Sequence, residues 1–176
     1  EGSVRKGYLS ALPDSIDMVS MWSGPFGISE AKKADKAYVQ KVKGTKVFVC
    51  FILHNIGTGI TPSSIADKIK AENPGDSQAM LNDKIKKAQE AYWGYTSGVQ
   101  SSTDHIAAIR KYAKALCDTI VKYDYDGLDI DWEPDGAGDG FGNLKGGYER
   151  GEYLHVLVEE LGKYLGPKAT VDTGKR

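Results

Sequence analysis

Four acids fall within the eight residues Asp126–Glu133 (DGLDIDWE), at positions 126, 129, 131 and 133. Read as a strand from Gly127 to Pro134, the stretch alternates with period two. Asp129, Asp131 and Glu133 then share one face, and Leu128, Ile130 and Trp132 the other. Carboxylates avoid buried strands, because an unpaired charge is costly to desolvate. The apolar partners nevertheless mark an interior strand and not a harmless exposed edge. Neighbouring acids on the shared face stand roughly 6.5–7 Å apart at Cα. Three ionised carboxylates in such a row repel one another, so the row is expected to hold a proton near neutral pH. A carboxylic acid prepared in this way can act as a general acid. Pro134 favours the strand's end, which puts Glu133 at the C-terminal tip of a parallel strand. Catalytic residues gather at that edge in α/β sheets and barrels.

Other chemistries fit less well. D-W-E-P-D-G-A-G-D-G-F-G, from Asp131, approaches a calcium-loop spacing, but its twelfth position is Gly142 where a bidentate Glu is needed. The glycines at 136, 138, 140 and 142 miss the G-x-G-x-x-G spacing of a dinucleotide site. Cys50 and Cys117 lie in apolar segments and read as buried free thiols; as lone residues they make no zinc site. No metal and no cofactor is expected. A net charge of −1 gives no hint of nucleic acid or an anionic membrane as partner. No run of about 18 apolar residues suggests a membrane span. The first ten residues lack a signal-peptide core, so an export signal is expected to have been removed or never present.

The elements that must position the acids can be read around them. Ile16–Trp22 and Thr45–Leu53 are near-continuous apolar runs, as in parallel strands buried on both faces. Between them Ser29–Lys43 has helical composition, with Ser29 as N-cap and Gly44 as stop. A loop opens at Asn55–Gly59, and Met80–Trp93 carries helical spacing. Thr103–Val121 places Ile106, Ile109, Ala113, Leu116, Cys117 and Ile120 on one helical face. After the acids come a Gly-rich loop at 135–147, a helix near Tyr148–Leu165, and a further strand beginning at Ala169–Asp172. The alternation predicts a single α/β domain over 1–176, with a parallel sheet and right-handed crossovers.

The acid motif resembles the D-x-x-D-x-D-x-E signature of glycoside hydrolase family 18, carried by the fourth strand of a (β/α)8 barrel. The resemblance implies that this chain supplies roughly strands 2 to 5. Such a barrel takes about 250 residues, so the rest is expected to be missing or on a second polypeptide; the terminal Lys175-Arg176 pair is typical of a proteolytic cut. FVCFILHNIGTG lacks the Ser-x-Gly-Gly of chitinases, and LPDSIDMVSMWSG is similar to the second-strand region of bacterial endoglycosidases of the Bacteroidetes kind. An endo-β-N-acetylglucosaminidase is therefore expected. A chitinase and a non-catalytic glycan-binding relative are the alternatives, and the intact Glu133 speaks against the last.

The roles follow from the resemblance. Glu133 would protonate the glycosidic oxygen, while the carbonyl of the substrate's own 2-acetamido group attacks the anomeric carbon. Asp131 would accept the acetamido N–H, and Asp129 would share a proton with Asp131. Asp126 is expected to be structural, satisfying backbone N–H groups. Trp22 could stack on a sugar or pack in the core; His54 and Asn55 could hydrogen-bond a glycan, His54 alternatively serving the scaffold. Trp93 and Tyr95 could wall the groove or pack the loop, and His105 and His155 receive no role. The expected partner is an N-glycan or another N-acetylglucosamine oligosaccharide. The expected location, implied only by that substrate, is secreted, periplasmic or surface-attached on a bacterium.

Overall fold

A computed structural model describes residues 7–22, 24–53, 55–96, 102–133 and 152–175. Strand β1 is Met18–Met21, and helix α1 is Glu30–Tyr38, continued by a π-helical turn over Val39–Lys43. Strand β2 is Lys46–Ile52, followed by helices α2 (Ser63–Glu72), α3 (Gln78–Trp93) and α4 (Ser102–Lys122). Strand β3 is Gly127–Asp131 and helix α5 is Glu152–Leu161. The three strands form a parallel sheet in the order β1-β2-β3. An α/β fold is what the alternation predicts, and the caps of α1 agree with the sequence. The Ser29 hydroxyl accepts the Lys32 N–H at 3.3 Å, and Gly44 ends the helical segment at φ 76°.

The core lies on one side of the sheet. Val47, Val49, Phe51 and Leu53 alternate along β2 and are almost fully buried. They join Ile109, Tyr112, Ala113, Leu116 and Ile120 of α4 and Leu157 and Leu161 of α5 in one apolar cluster. Leu128, Ile130 and Trp132 pack against the same cluster. The other face is open: Met18 is 57% exposed, Ile52 40%, and Trp22, just past β1, 70%. The sequence reading expects both faces covered; among the described residues the helices cover one.

Three other expectations change. β3 stops at Asp131, not at Pro134, because β2, its only ladder partner among the described residues, ends at Ile52; the last bond runs from the Leu53 N–H to the Asp131 carbonyl at 3.0 Å. Helix α2 has no fully buried residue, and an apolar stripe that weak gave the sequence reading nothing to find. Ala169–Asp172 is not a strand. The Thr170 and Val171 N–H groups both donate to the Lys163 carbonyl, at 3.0 and 2.9 Å, so the segment folds back on the end of α5. A fifth barrel strand is therefore not formed among the described residues.

Asp126, immediately before β3, is tied to β2 twice. Its N–H donates to the Val47 carbonyl at 2.8 Å, and its Oδ2 accepts the Val47 N–H at 2.9 Å. The Gln40 amide donates to the same oxygen at 2.8 Å, and Lys46 Nζ lies 3.5 Å from Oδ1. Burial by itself would raise this carboxyl, but the Val47 N–H, Gln40 and Lys46 together hold it below its ordinary value. A depressed folded-state value adds stability that is present above the unfolded value of about 4 and lost as pH falls through the folded one. Asp126→Asn keeps an acceptor and loses the charge. It is expected to lower unfolding free energy at pH 7 by about 1–2 kcal/mol. In urea unfolding the gap to the wild type should shrink by pH 3; a gap independent of pH would rule out the charge as its cause.

Candidate active site

On the open face the register brings one polar group from each strand together. Cys50 is level with Asp129, and Ile52 with Asp131. Ser20 lies two strands from Asp129, level with Phe48, yet its hydroxyl donates to Asp129 Oδ2 at 2.6 Å. Asp131 Oδ2 is buried and meets no hydrogen-bond donor among the described residues. Glu133 stands two residues beyond the strand end and is exposed. The acids thus run from the partly covered sheet face outward to the solvent at its C-terminal edge.

Sequence reading alone did not single out Ser20, and it took Cys50 as a buried free thiol with no place in the site. The signal was present: each is a small polarisable residue inside an apolar run, and Ser20 has the parity of Trp22. Burial first, then the negative charges of Asp129 and Asp131, push the Cys50 thiol above its ordinary value. At neutral pH it is a protonated, apolar-sized spacer and not a nucleophile.

Beside the acids lies a cleft of about 370 Å³ whose lining includes Trp22, Phe26, Cys50, Ile52, Thr58 and Gly59. Trp22 is a wall of this cleft and no part of the buried core. Asn55 is fixed at the cleft's edge through Thr58. The Thr58 hydroxyl donates to the Asn55 carbonyl at 2.8 Å and accepts its N–H at 3.2 Å. Asn55 Oδ1 is buried without a partner among the described residues. His54, Pro134 and the Gly-rich loop lie outside the described residues.

The loop after Asn55 is shaped by Gly57, at φ 89°. A Cβ there would stand 2.3 Å from Trp93 Nε1 and 2.4 Å from Thr61 Oγ1. Those two groups are themselves bonded, Nε1 donating to Oγ1 at 2.9 Å. Trp93 is 2% exposed, so it supports this loop from the core and does not wall a groove. Tyr95 packs against the same core, its ring edge-on to His105 at 4.6 Å. His105 also stacks on Tyr153 at 4.1 Å.

Both cysteines are free and buried. Burial, the first cause, with Asp118 next, pushes the Cys117 thiol up to about 12. An aromatic disulfide reagent at pH 7.5 is therefore expected to titrate neither thiol in the native protein and both after denaturation. Rapid native labelling of Cys50 would show that the acid face opens more than its burial implies.

The site's composition can be set beside known proteins. The chain matches the profile of glycoside hydrolase family 18, BT1044-like, over residues 1–91 and 75–175. A solved structure of selenomethionine BT1044 carrying a Glu-to-Gln substitution is similar at a TM-score of 0.59 and 28% identity. The match covers 92% of this chain and 43% of that one, so the chain spans less than half of that relative's length. No curated protein is significantly similar. The acid motif, the small parallel sheet that carries it and these matches together place the chain in glycoside hydrolase family 18.

Proposed function

We propose that the protein is an endo-β-N-acetylglucosaminidase that cleaves the GlcNAc-β-1,4-GlcNAc core of N-linked glycans by a substrate-assisted, retaining mechanism. One observation carries the reading: a row of acids along the open face, with an exposed Glu133 at its tip and behind it a buried Asp131 oxygen that meets no donor among the described residues. Glu133 is placed to hand a proton to a leaving glycosidic oxygen arriving from solvent. The bond from the anomeric carbon to that oxygen breaks as the 2-acetamido carbonyl oxygen of the same sugar bonds to the anomeric carbon. The acetamido N–H gains positive charge in that step, and Asp131 Oδ2 is an acceptor in want of a donor. Its interaction therefore strengthens toward the transition state, which is the kind that accelerates a reaction. Asp129 stands behind it and would share a proton with Asp131. Glu133, now deprotonated, takes a proton from water, which opens the bicyclic intermediate and restores the starting configuration. An internal nucleophile arrives already oriented, so the protein needs to supply none.

Trp22, exposed beside the cleft, offers a flat apolar surface to a sugar ring, and Asn55 and His54 are assigned to glycan hydroxyls. The uncovered apolar side chains of Met18, Trp22 and Ile52 suit a sheet that continues into a closed (β/α)8 barrel. In that architecture the further strands, on the same or a second polypeptide, cover this face. N-glycans lie outside bacterial cells, which supports a secreted, periplasmic or surface-attached enzyme.

The intact protein is expected to remove high-mannose glycans from a glycoprotein, leaving one N-acetylglucosamine, read by mass spectrometry. Glu133→Gln should lower the rate at least about 100-fold, and Asp131→Asn should do the same. Cleavage of chito-oligosaccharides alone would make it a chitinase, and binding without cleavage a glycan-binding protein.

A further inference from the structure

We infer that Ser20 is a positioning residue of this site: its hydroxyl, reaching across β2, fixes the orientation of Asp129 behind Asp131. The inference rests on the reading proposed above and deepens it. Ser20 and Asp129 sit on the two outer strands of the described sheet, about 9–10 Å apart at two inter-strand spacings. A contact of 2.6 Å between them requires both side chains to lean over β2 toward each other. The bond runs diagonally, because Phe48 is level with Ser20 and Cys50 with Asp129. A small residue at position 50 leaves room for it. Cys50 supplies that room, and its protonated thiol stands close enough to interact with both Asp129 and Ser20.

A short hydroxyl–carboxylate bond limits the carboxyl group's rotation. Asp129 is thereby held while Asp131 keeps a buried oxygen without a donor among the described residues. When positive charge develops on the substrate's acetamido nitrogen, both carboxylates are already in place, with no reorganisation at that moment. The titratable groups facing Asp129 among the described residues are Cys50 from β2 and Asp131, then Glu133, along its own strand; β1 contributes only the Ser20 hydroxyl.

The test is steady-state cleavage by the intact protein and its Ser20→Ala, Ser20→Thr and Glu133→Gln variants. Ser20→Ala is expected to lower kcat about 10–100-fold, the loss of one charge-assisted hydrogen bond. KM should stay within about twofold, because the bond acts on the reacting geometry and not on ground-state binding. Ser20→Thr, which keeps the hydroxyl, should recover most of kcat. Unchanged kcat in Ser20→Ala, while Glu133→Gln is dead, would overturn the inference and leave the proposed function standing. Equal losses in the Ala and Thr variants would also overturn it, since shape and not the hydroxyl would then matter. Should Ser20→Ala fail to fold, Ser20→Cys, with a weaker donor, must show a smaller loss in kcat, and full kcat there overturns the inference. A wild-type protein that neither cleaves nor binds a thiazoline analogue of the bicyclic intermediate removes the proposed function, and this inference with it.

Discussion

The reciprocal pairing of Asp126 with Val47 is the constraint on which the rest depends. Side chains on a strand alternate, so a slip of one residue between β2 and β3 would exchange their faces completely. Asp129 and Asp131 would enter the helix-covered core, and Leu128 and Ile130 would face the cleft. A carboxylate that both accepts the Val47 N–H and sits at the first residue before the strand fixes where the ladder begins. Helix α1 reinforces the same point from outside the sheet. Lys36, only 4% exposed, donates to the Tyr123 and Asp124 carbonyls at 3.0 and 2.5 Å, and Gln40 reaches both Asp124 and Asp126. Burial, the dominant influence on Lys36, lowers its affinity for a proton, with Asp124 and Asp126 opposing that effect. A buried ammonium is tolerated only where such acceptors are fixed, so the turn from α4 into β3 is held as rigidly as the strand itself.

From that anchoring the division of labour across the sheet follows. One face of β2 is fully committed to the apolar cluster with α4 and α5, which provides the rigid platform. The opposite face has little apolar contact of its own and instead holds Ser20, Cys50, Asp129 and Asp131. Polar groups cost least where the helices do not pack, and the strand's two-residue period delivers them there without disturbing the core.

Much of this was legible in the chain. The acids were conspicuous because DGLDIDWE combines a strand's alternation with the residue type least suited to burial, and a family signature at that spacing is specific. The Ser29 cap, the Gly44 stop and the α4 stripe were readable because each depends on neighbours in sequence. What escaped the reading depends on distant partners. Helix α2 is held with little burial, so its pattern is faint. The Ala169–Asp172 segment has a strand's composition, but composition cannot tell whether a ladder partner or the Lys163 carbonyl will claim its N–H groups. Trp93 was ambiguous for the same reason: only the fold brings it against Gly57 and Thr61. Ser20 was overlooked because its partner lies 109 residues away, across an intervening strand.

Asp131 Oδ2, without a donor among the described residues, also bears on how such a chain would change under drift. A buried acceptor without a donor weakens the fold that contains it, so exchanging Asp131 for a well-packed neutral residue carries little structural penalty and could bring a gain. Glu133, exposed past the end of β3, is equally dispensable to folding. Val47, Leu128 and Ile130, one pleat away, are not. Under the reading proposed above, chemistry and shape are thus written on opposite sides of the same few residues, and the first can be erased while the second persists.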